Sequence, residues 1–596
     1  MLAPPSSGKA CQWLALRANG VVDSPRMREI SKTQAVIAAT LAIAILVLCL
    51  CAHLGALGLT GPDEVRYAWI ARSMASTGDW VTPKLYGRPW LEKPALFYWG
   101  AAVGFRILKS PEYAARIPSA LAALAAAFTI AMLAWIFYGR RTAWIALLMF
   151  PTVATVGFAR AATPDMLFSA FITITLATAA GILYREGALG KIAPGAPPTF
   201  PTATPDRVFF GAALGAATLA KGPAAIIVAG GSLALWAIAT RQWRMLGRFF
   251  HPACLISFGV VALPWYVVCA CRNPAFLSTF LIHHNFDRYL TPVFQHHQPF
   301  WFFLPVLLVA VFPWTPLLIA VAFDAFSSWL RQDWKSSPAF FLACWIFFPF
   351  VFFSFSHSKL PGYILPAVPA LILLLAVSGE RLIDSARATA GSGVLATVGV
   401  LWFLVGLALA VHRFNILIAE KLQFAPAPSA APLTNHVHHL LLFIAVAGIA
   451  ISWLALSGRG AISILVVALA FAALAEDAGR RVLPQIDPYL TARVMVNRAG
   501  KTKAMELPWQ ELHLNRSWEF GLNFYAQREI SEWNPESPDQ ALVFTNPTGV
   551  EEIRRSGRDF VALDMNFTSG DFPVVDYLRA DYPVEVRPVV VLPTSH

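Results

Sequence analysis

Charge is what this sequence has little of. Only 13% of its 596 residues are Asp, Glu, Lys or Arg, against roughly a quarter in soluble domains, while 57% are hydrophobic. That scarcity excludes an ordinary water-soluble globular protein. Cysteine is sparse as well: Cys49, Cys51, Cys254, Cys269, Cys271 and Cys344 stand in apolar segments, and Cys11 lies in the polar N-terminal stretch. Their spacing gives neither a disulfide framework nor a CxxC metal site. Acids are fewer than bases, 34 against 46, for a formal net charge of +12. A nucleic-acid partner does not follow, because Lys and Arg sit mainly in short connections between apolar runs and in the N-terminal tail, where they set membrane orientation.

What is abundant is apolar sequence in bilayer-sized lengths. Ala35 to Leu54, Ser119 to Phe137, Val394 to Val411 and Leu440 to Leu456 approach or reach the ~20 residues that cross the hydrocarbon layer. Lys9, Arg17, Arg26, Arg28 and Lys32 precede the first run. That run is too long for a signal-peptide core and has no convincing small-residue cleavage site, so it reads as a retained anchor.

Positive charge clusters at Arg140 and Arg141, at Arg185, Lys191 and Arg207, and at Arg241, Arg244 and Arg248. Further clusters are Arg331 with Lys335, Arg381 with Arg387, and Arg459. If all face the cytoplasm with the N-terminus, an even number of spans separates each from the next. Val208 to Thr240 must then be two spans broken at Lys221-Gly222-Pro223, since 33 residues of helix, roughly 50 Å, exceed one crossing. The count comes to about thirteen, with the C-terminus outside.

The expected fold is therefore a polytopic α-helical membrane protein. Residues 1–34 form a cytoplasmic tail, 35–478 the transmembrane domain, and 479–596 a small extracytoplasmic α/β domain. In that last domain strands are expected near Ala541 to Phe544, Phe560 to Leu563 and Val584 to Leu592, with a helix around Val550 to Arg555. The Pro-rich stretch Ala193 to Asp206 reads as an inner linker without secondary structure.

The same parity gathers the unusual polar residues on the outer face: the first loop 61–117, the turn at Asp165, the break at Lys221, Arg272 to Pro299, and His357 to Gly362. Gly61-Pro62-Asp63-Glu64-Val65-Arg66-Tyr67 is a good helix start that puts Asp63, Arg66, Tyr67 and Ile70 on one face. Asp63 and Glu64 either complement the helix dipole or supply a base where hydrocarbon meets water. In Trp90-Leu91-Glu92-Lys93-Pro94-Ala95-Leu96-Phe97-Tyr98, Lys93 either holds a phosphate as a point charge or snorkels as an interfacial lysine.

Asp63-Glu64-x-Arg66-Tyr67 followed by Glu92-Lys93-Pro94 resembles the first-loop signature of the GT-C membrane glycosyltransferases. The resemblance is to the branch that holds the lipid A aminoarabinose transferases (ArnT) and the dolichyl-phosphate-mannose protein mannosyltransferases. It continues in order through Lys221-Gly222-Pro223, His284-Asn285-Phe286-Asp287-Arg288-Tyr289, Gln298-Pro299-Phe300-Trp301 and His357-Ser358-Lys359-Leu360-Pro361-Gly362-Tyr363. It implies a GT-C fold and an enzyme that moves a sugar from a polyprenyl (undecaprenyl or dolichyl) phosphate donor to lipid A, another glycan or protein. It also implies Asp63 as catalytic base and Asp165 as the second acid. Lys93, Arg288 and Tyr363 would contact the lipid phosphate, with Lys221 and Lys359 as further cations. Glu64, Arg66, Tyr67, Trp90, Glu92 and Tyr98 would line the substrate pocket.

Two departures bear on donor and acceptor: Trp90 stands where the aminoarabinose branch tends to carry tyrosine, and the acid near Asp165 follows its proline rather than preceding it. No cofactor is required by this reading. A structural divalent ion among His283, His284, His296, His297 and His357 with Glu92 matches no sharp metal template, and such histidines more often bond water or carbonyls. The rival readings are a transporter or lipid flippase, which would put its ionisable residues and broken helices near the midplane, and a binding protein without catalysis. Membrane lipids are expected partners, with the enzyme in the inner or plasma membrane and its site extracytoplasmic.

Overall fold

The computed structural model describes residues 32–190, 193, 203–290, 298–331, 334–385, 389–410, 431–499, 507–534, 536, 540–562 and 587–591. Among these, seven helices are long and apolar enough to cross a membrane: Pro111–Tyr138, Asp165–Arg185, Pro252–Arg272, Pro361–Asp384, Gly391–Ala408, His439–Leu456 and Gly460–Pro488. Two further pairs, Arg140–Met149 with Val153–Ala159 and Phe300–Ala310 with Thr315–Leu330, are bent by 66° and 116° at short breaks. Three shorter apolar helices, Ala39–Cys51, Ala224–Ala239 and Pro338–Ser354, and the helix Ala203–Lys221 bring the segments to thirteen. The chain is a multi-span membrane protein. The anchor helix runs Lys32–Cys51, and the tail before it lies outside the described residues.

The break at Lys221-Gly222-Pro223 is where the charge parity requires it. The helix Ala203–Lys221 ends, Gly222 adopts φ +81°, and Ala224–Ala239 resumes behind Pro223. Of the linker Ala193 to Asp206, residues 194–202 lie outside the described residues. The remainder corrects the sequence reading, since helix begins at Ala203. Asp206 sits in its first turn and pairs with Arg185 at 2.5 Å, a placement that suits the positive end of the helix dipole.

The first outer loop is itself structured. The helix Gly61–Thr77 starts behind an extended Thr60, carries Pro62 in its first turn, and stops at Gly78, whose left-handed backbone (φ +75°) lets its amide donate to the Met74 carbonyl at 3.0 Å. A two-stranded hairpin, Lys84–Leu85 with Arg88–Pro89, leads to the helix Leu96–Ile107. That helix packs closely on Pro111–Tyr138, where a Cβ on Gly104 would stand 2.5 Å from the Ala114 carbonyl oxygen.

At the end of the bundle assigned inside, most of the basic clusters meet acids. Arg141 pairs with Asp384 (2.5 Å), Arg207 and Arg248 with Glu186 (3.4 and 3.0 Å), and Arg381 with Asp324 (3.2 Å).

The C-terminal part is a mixed α/β unit. Its five-stranded sheet has the order Ser531–Glu532, Trp509–Leu512, Ala541–Thr545, Arg587–Val591, Phe560–Ala562. The first two pairings are parallel and the last two antiparallel. The expected strands at Ala541 to Phe544 and Phe560 to Leu563 appear, as does the helix, at Pro547–Arg555. Leu563, Val584 to Val586 and Leu592 lie outside the described residues. Not expected from the sequence were the strand Trp509–Leu512 and the helix Arg516–Ala526, which is capped by Asn515 and buries Trp518, Leu522 and Phe524. This helix lies on the first-loop helix: Arg72 donates to the Phe524 carbonyl (2.8 Å), and Asn523 donates to the Tyr86 hydroxyl (2.9 Å).

Candidate active site

The site residues arrive on helix ends and breaks. Asp63, Glu64, Arg66 and Tyr67 come from the first two turns of Gly61–Thr77, and Asp165 opens the helix Asp165–Arg185. Lys221 closes Ala203–Lys221, and Tyr363 sits in the 3₁₀ turn Pro361–Ala367 that feeds Val368–Ser385. Helix ends suit this task, because they leave backbone groups unpaired and side chains free to point at a common space.

Asp63 forms an ion pair with Arg66 one turn on, and its side chain remains 55% exposed. The Arg66 guanidinium lies 4.8 Å from the Trp90 ring, 5.6 Å from Tyr67 and 5.9 Å from Phe520, a cation held among aromatic faces. Burial alone would lower its pKa, but the neighbouring Tyr67, Asp63, Glu92 and Tyr98 outweigh that and raise it. Tyr67 packs edge-on against Phe97 and Tyr98. Burial, and then the charges of Asp63, Asp165 and Glu92, push its phenol well above the ordinary range. Tyr67 thus stands within electrostatic reach of both candidate carboxylates, at the junction of two clusters.

The second cluster is Asp165 with Lys221 and Tyr363. Lys221 forms an ion pair with Asp165, and its ammonium lies 4.9 Å from the Tyr363 ring and 5.4 Å from Phe168. Close approach depends on Gly362, where a Cβ would meet an Asp165 carboxylate oxygen at 3.0 Å. Lys359 donates from its ammonium to the carbonyls of Ser356 (2.6 Å) and Gln298 (3.0 Å), and burial lowers its pKa. Lys221 and Lys359 are therefore both engaged by protein groups, where the sequence reading had them as phosphate-facing cations.

Glu64 differs from the expectation of a pocket-lining acid. It is 6% exposed, and five donors surround its carboxylate. Arg116 reaches both oxygens (2.8 and 3.2 Å), the Ala162 amide donates at 2.6 Å, and the Thr60 amide and hydroxyl donate at 2.8 and 3.1 Å. Burial would raise the Glu64 carboxyl, yet Arg116 and those amides hold it below the usual carboxylate range. The reason is positional: on a helix Glu64 points a full residue away from Asp63, into the seam between Gly61–Thr77, Pro111–Tyr138 and the turn before Asp165. Glu64 ties the two carboxylate-bearing segments together.

Arg116, 4% exposed, was missed because it closes the expected outer loop and reads there as a loop charge. Its place in the helix Pro111–Tyr138 is the available signal, since an arginine in a span demands a buried partner. Phe520, which closes over Arg66 from the C-terminal unit, left no comparable signal.

Lys93 is half-buried beside Glu92. Arg288 opens the short helix Arg288–Leu290, and its side chain lies outside the described residues. Glu92 faces His284 at 3.7 Å, and His283 faces Asp287 at 3.4 Å. Among the described residues no three His, Cys, Asp or Glu side chains gather as a metal site; His296 and His297 lie outside them. Buried polar atoms without a hydrogen-bond partner include Arg66 Nε, Trp90 Nε1 and Tyr98 Oη, all in the first cluster, so donor capacity remains there for a polar ligand.

Residues 36–280 match the family described as dolichyl-phosphate-mannose-protein mannosyltransferase. The undecaprenyl phosphate-alpha-4-amino-4-deoxy-L-arabinose arabinosyl transferase 2 of Pseudomonas fluorescens is 30% identical over 404 residues, 67% of this chain and 67% of that protein. The chain belongs to the ArnT-like family of membrane glycosyltransferases. Against the undecaprenyl phosphate-alpha-4-amino-4-deoxy-L-arabinose arabinosyl transferase of Edwardsiella ictaluri the identity is also 30%, over 54% of this chain and 55% of the relative, so the match spans little more than half of that relative's length. The fold agrees along nearly the whole chain with the crystal structure of ArnT from Cupriavidus metallidurans bound to undecaprenyl phosphate: TM-score 0.70, 22% identity, 94% of this chain and 98% of that one. The fold of the chain is thus that of a GT-C membrane glycosyltransferase.

Proposed function

We propose that this chain transfers a sugar from a polyprenyl phosphate carrier to an acceptor on the non-cytoplasmic side of the inner or plasma membrane. The observation that carries the reading is that Glu64 accepts from the Ala162 amide at 2.6 Å and so ties the helix of Asp63, Arg66 and Tyr67 to the turn that leads into Asp165, itself paired with Lys221 beside Tyr363. In the proposed step an acceptor hydroxyl oxygen attacks the anomeric carbon, its proton passes to Asp63, the bond from that carbon to the phosphate oxygen breaks, and the lipid phosphate leaves. Asp63 suits the base because its carboxylate is accessible and held in place by a single ion pair. Lys93, Arg288 and Tyr363 would receive the phosphate, whose charge grows as the bond breaks. Lys221 would fix Asp165 and the Tyr363 ring from behind.

The relatives' names specify undecaprenyl phosphate and 4-amino-4-deoxy-L-arabinose. Trp90, in place of a tyrosine, widens the donors worth testing. Membranes containing the full chain, incubated with a panel of labelled undecaprenyl-phosphate sugars, are expected to move one label into a lipid, glycan or protein fraction. Asp63→Asn should abolish that transfer at unchanged protein level. Undiminished transfer by Asp63→Asn removes this residue from the mechanism, and the absence of transfer from every donor overturns the assignment.

A further inference from the structure

The turn that delivers Asp63 is gripped by two arginines from distant parts of the chain. Between the anchor helix and Gly61–Thr77, five successive carbonyls, Leu54 to Gly58, each accept from a guanidinium. Arg116 takes Leu54, Leu57 and Gly58 at 2.6, 2.6 and 2.7 Å, and Arg493 takes Gly55 and Ala56 at 2.8 and 3.1 Å. The amides of the turn are held too. Gly58 donates to Asp487 at 2.7 Å, and Leu59 to the Tyr525 hydroxyl at 2.8 Å. Arg493 is itself fixed by Asp487 (2.7 Å) and Glu112 (3.2 Å), and Tyr525 donates to the same Glu112 at 3.0 Å. Asp487 is 2% exposed, so its charge depends on Arg493 for compensation.

The geometry points to Arg493 as a positioning residue for the transfer, through which the C-terminal unit aims the helix that bears Asp63. This inference rests on the reading of Asp63 as the base. The physical case is one of redundancy and reach. A turn of this length, with two glycines among its residues, has many backbone conformations of similar energy. Yet Asp63 stands only four residues beyond Leu59, whose amide Tyr525 holds, so any rotation of the turn swings the carboxylate. Arg116 alone leaves Gly55 and Ala56 unheld. Arg493 supplies exactly those two bonds and brings Asp487 to the Gly58 amide. It touches neither Asp63 nor the cluster around Asp165, so its effect is confined to orientation. Misplacement of a reacting group by about 1 Å costs on the order of a hundredfold in rate, which sets the scale for loss of the grip.

The test compares wild type, Arg493→Lys and Tyr525→Phe in the full-length chain, in membranes, with the labelled undecaprenyl-phosphate sugar that the wild type accepts. Arg493→Lys keeps the charge but cannot span two carbonyls and two carboxylates. It is expected to lower kcat by about tenfold or more with the donor KM unchanged, and to speed amide hydrogen exchange selectively in residues 54–64. Tyr525→Phe, which deletes one hydroxyl without unbalancing a charge, is expected to lower kcat less, in the same sense and with the same exchange pattern. Wild-type kcat in both variants, with Asp63→Asn inactive, overturns the inference and leaves the transfer reading standing. Full transfer by Asp63→Asn removes the reading beneath it. If Arg493→Lys unfolds globally, Tyr525→Phe decides: wild-type kcat and exchange there overturn the proposal. If no donor is turned over by the wild type, the transfer reading falls and this inference falls with it.

Discussion

At the scale of single residues, adjacent carboxylates have been given unlike environments. Asp63 is accessible and lightly held, whereas Glu64 is enclosed and bonded by every neighbour. The pair follows from helical geometry alone, since consecutive side chains on a helix point about 100° apart. Removing the Glu64 charge leaves Arg116 buried without its counter-ion, a loss of about 3–5 kcal/mol. Glu64→Gln is therefore expected to unfold well before wild type at neutral pH in detergent. The pH dependence has a definite sign. The folded carboxyl is held below its unfolded value, so its stabilisation is complete above the ordinary carboxylate range and is lost as pH falls through the folded value. The gap between wild type and Glu64→Gln should narrow on acidification, and thermal melts across that range check it; a gap independent of pH would exclude the charged pair as its cause. The sequence made Asp63, Lys221 and Asp165 legible, because each lies at a Pro- or Gly-marked break in an apolar run. It left Arg116 and Arg493 unremarked, because Glu64 lies 52 residues from the first, and Glu112 and the gripped turn lie 381 or more residues from the second, and no local period records such a pairing.

Among helices, apolar surface gives no net drive to association in lipid, so close fit has to supply it. The pair Thr389–Ala410 and Ala431–Leu456 shows how: Gly399, Gly406 and Gly448 let the backbones touch, and a Cβ on Gly448 would collide with the Phe403 amide and the Gly399 carbonyl. Gly448→Val is expected to force these helices apart and lower the thermal midpoint, while Gly393→Ala, where a Cβ meets open space, should be silent. Equal melts for the two would discount the crossing. Spans and breaks were readable from hydropathy and charge parity because those signals are local. The C-terminal helix Arg516–Ala526 was not, for its apolar residues answer partly to the first loop rather than only to its own sheet.

For the whole molecule, the expected topology puts Glu529, exposed on the C-terminal unit, and Arg244, exposed between Ala224–Ala239 and Pro252–Arg272, on opposite sides of the bilayer. In a Cys11→Ser, Cys271→Ser background, a membrane-impermeant maleimide added to intact cells with a permeable outer layer should label Glu529→Cys at once. Arg244→Cys should react only after the membrane is opened. Labelling of both from one side would contradict the thirteen-segment layout.

The ion pairs at the opposite end of the bundle carry a consequence for biosynthesis. Arg141, Arg185, Arg207 and Arg381 are the very cations from which orientation is read, yet in the finished fold each faces a carboxylate of another segment, made later for Arg141 and Arg185 and earlier for Arg207 and Arg381. Arg141 and Arg185 are made before Asp384 and Asp206, so each enters the membrane-insertion process ahead of the acid that later neutralises it, whereas Arg207 and Arg381 arrive to find their acids already made.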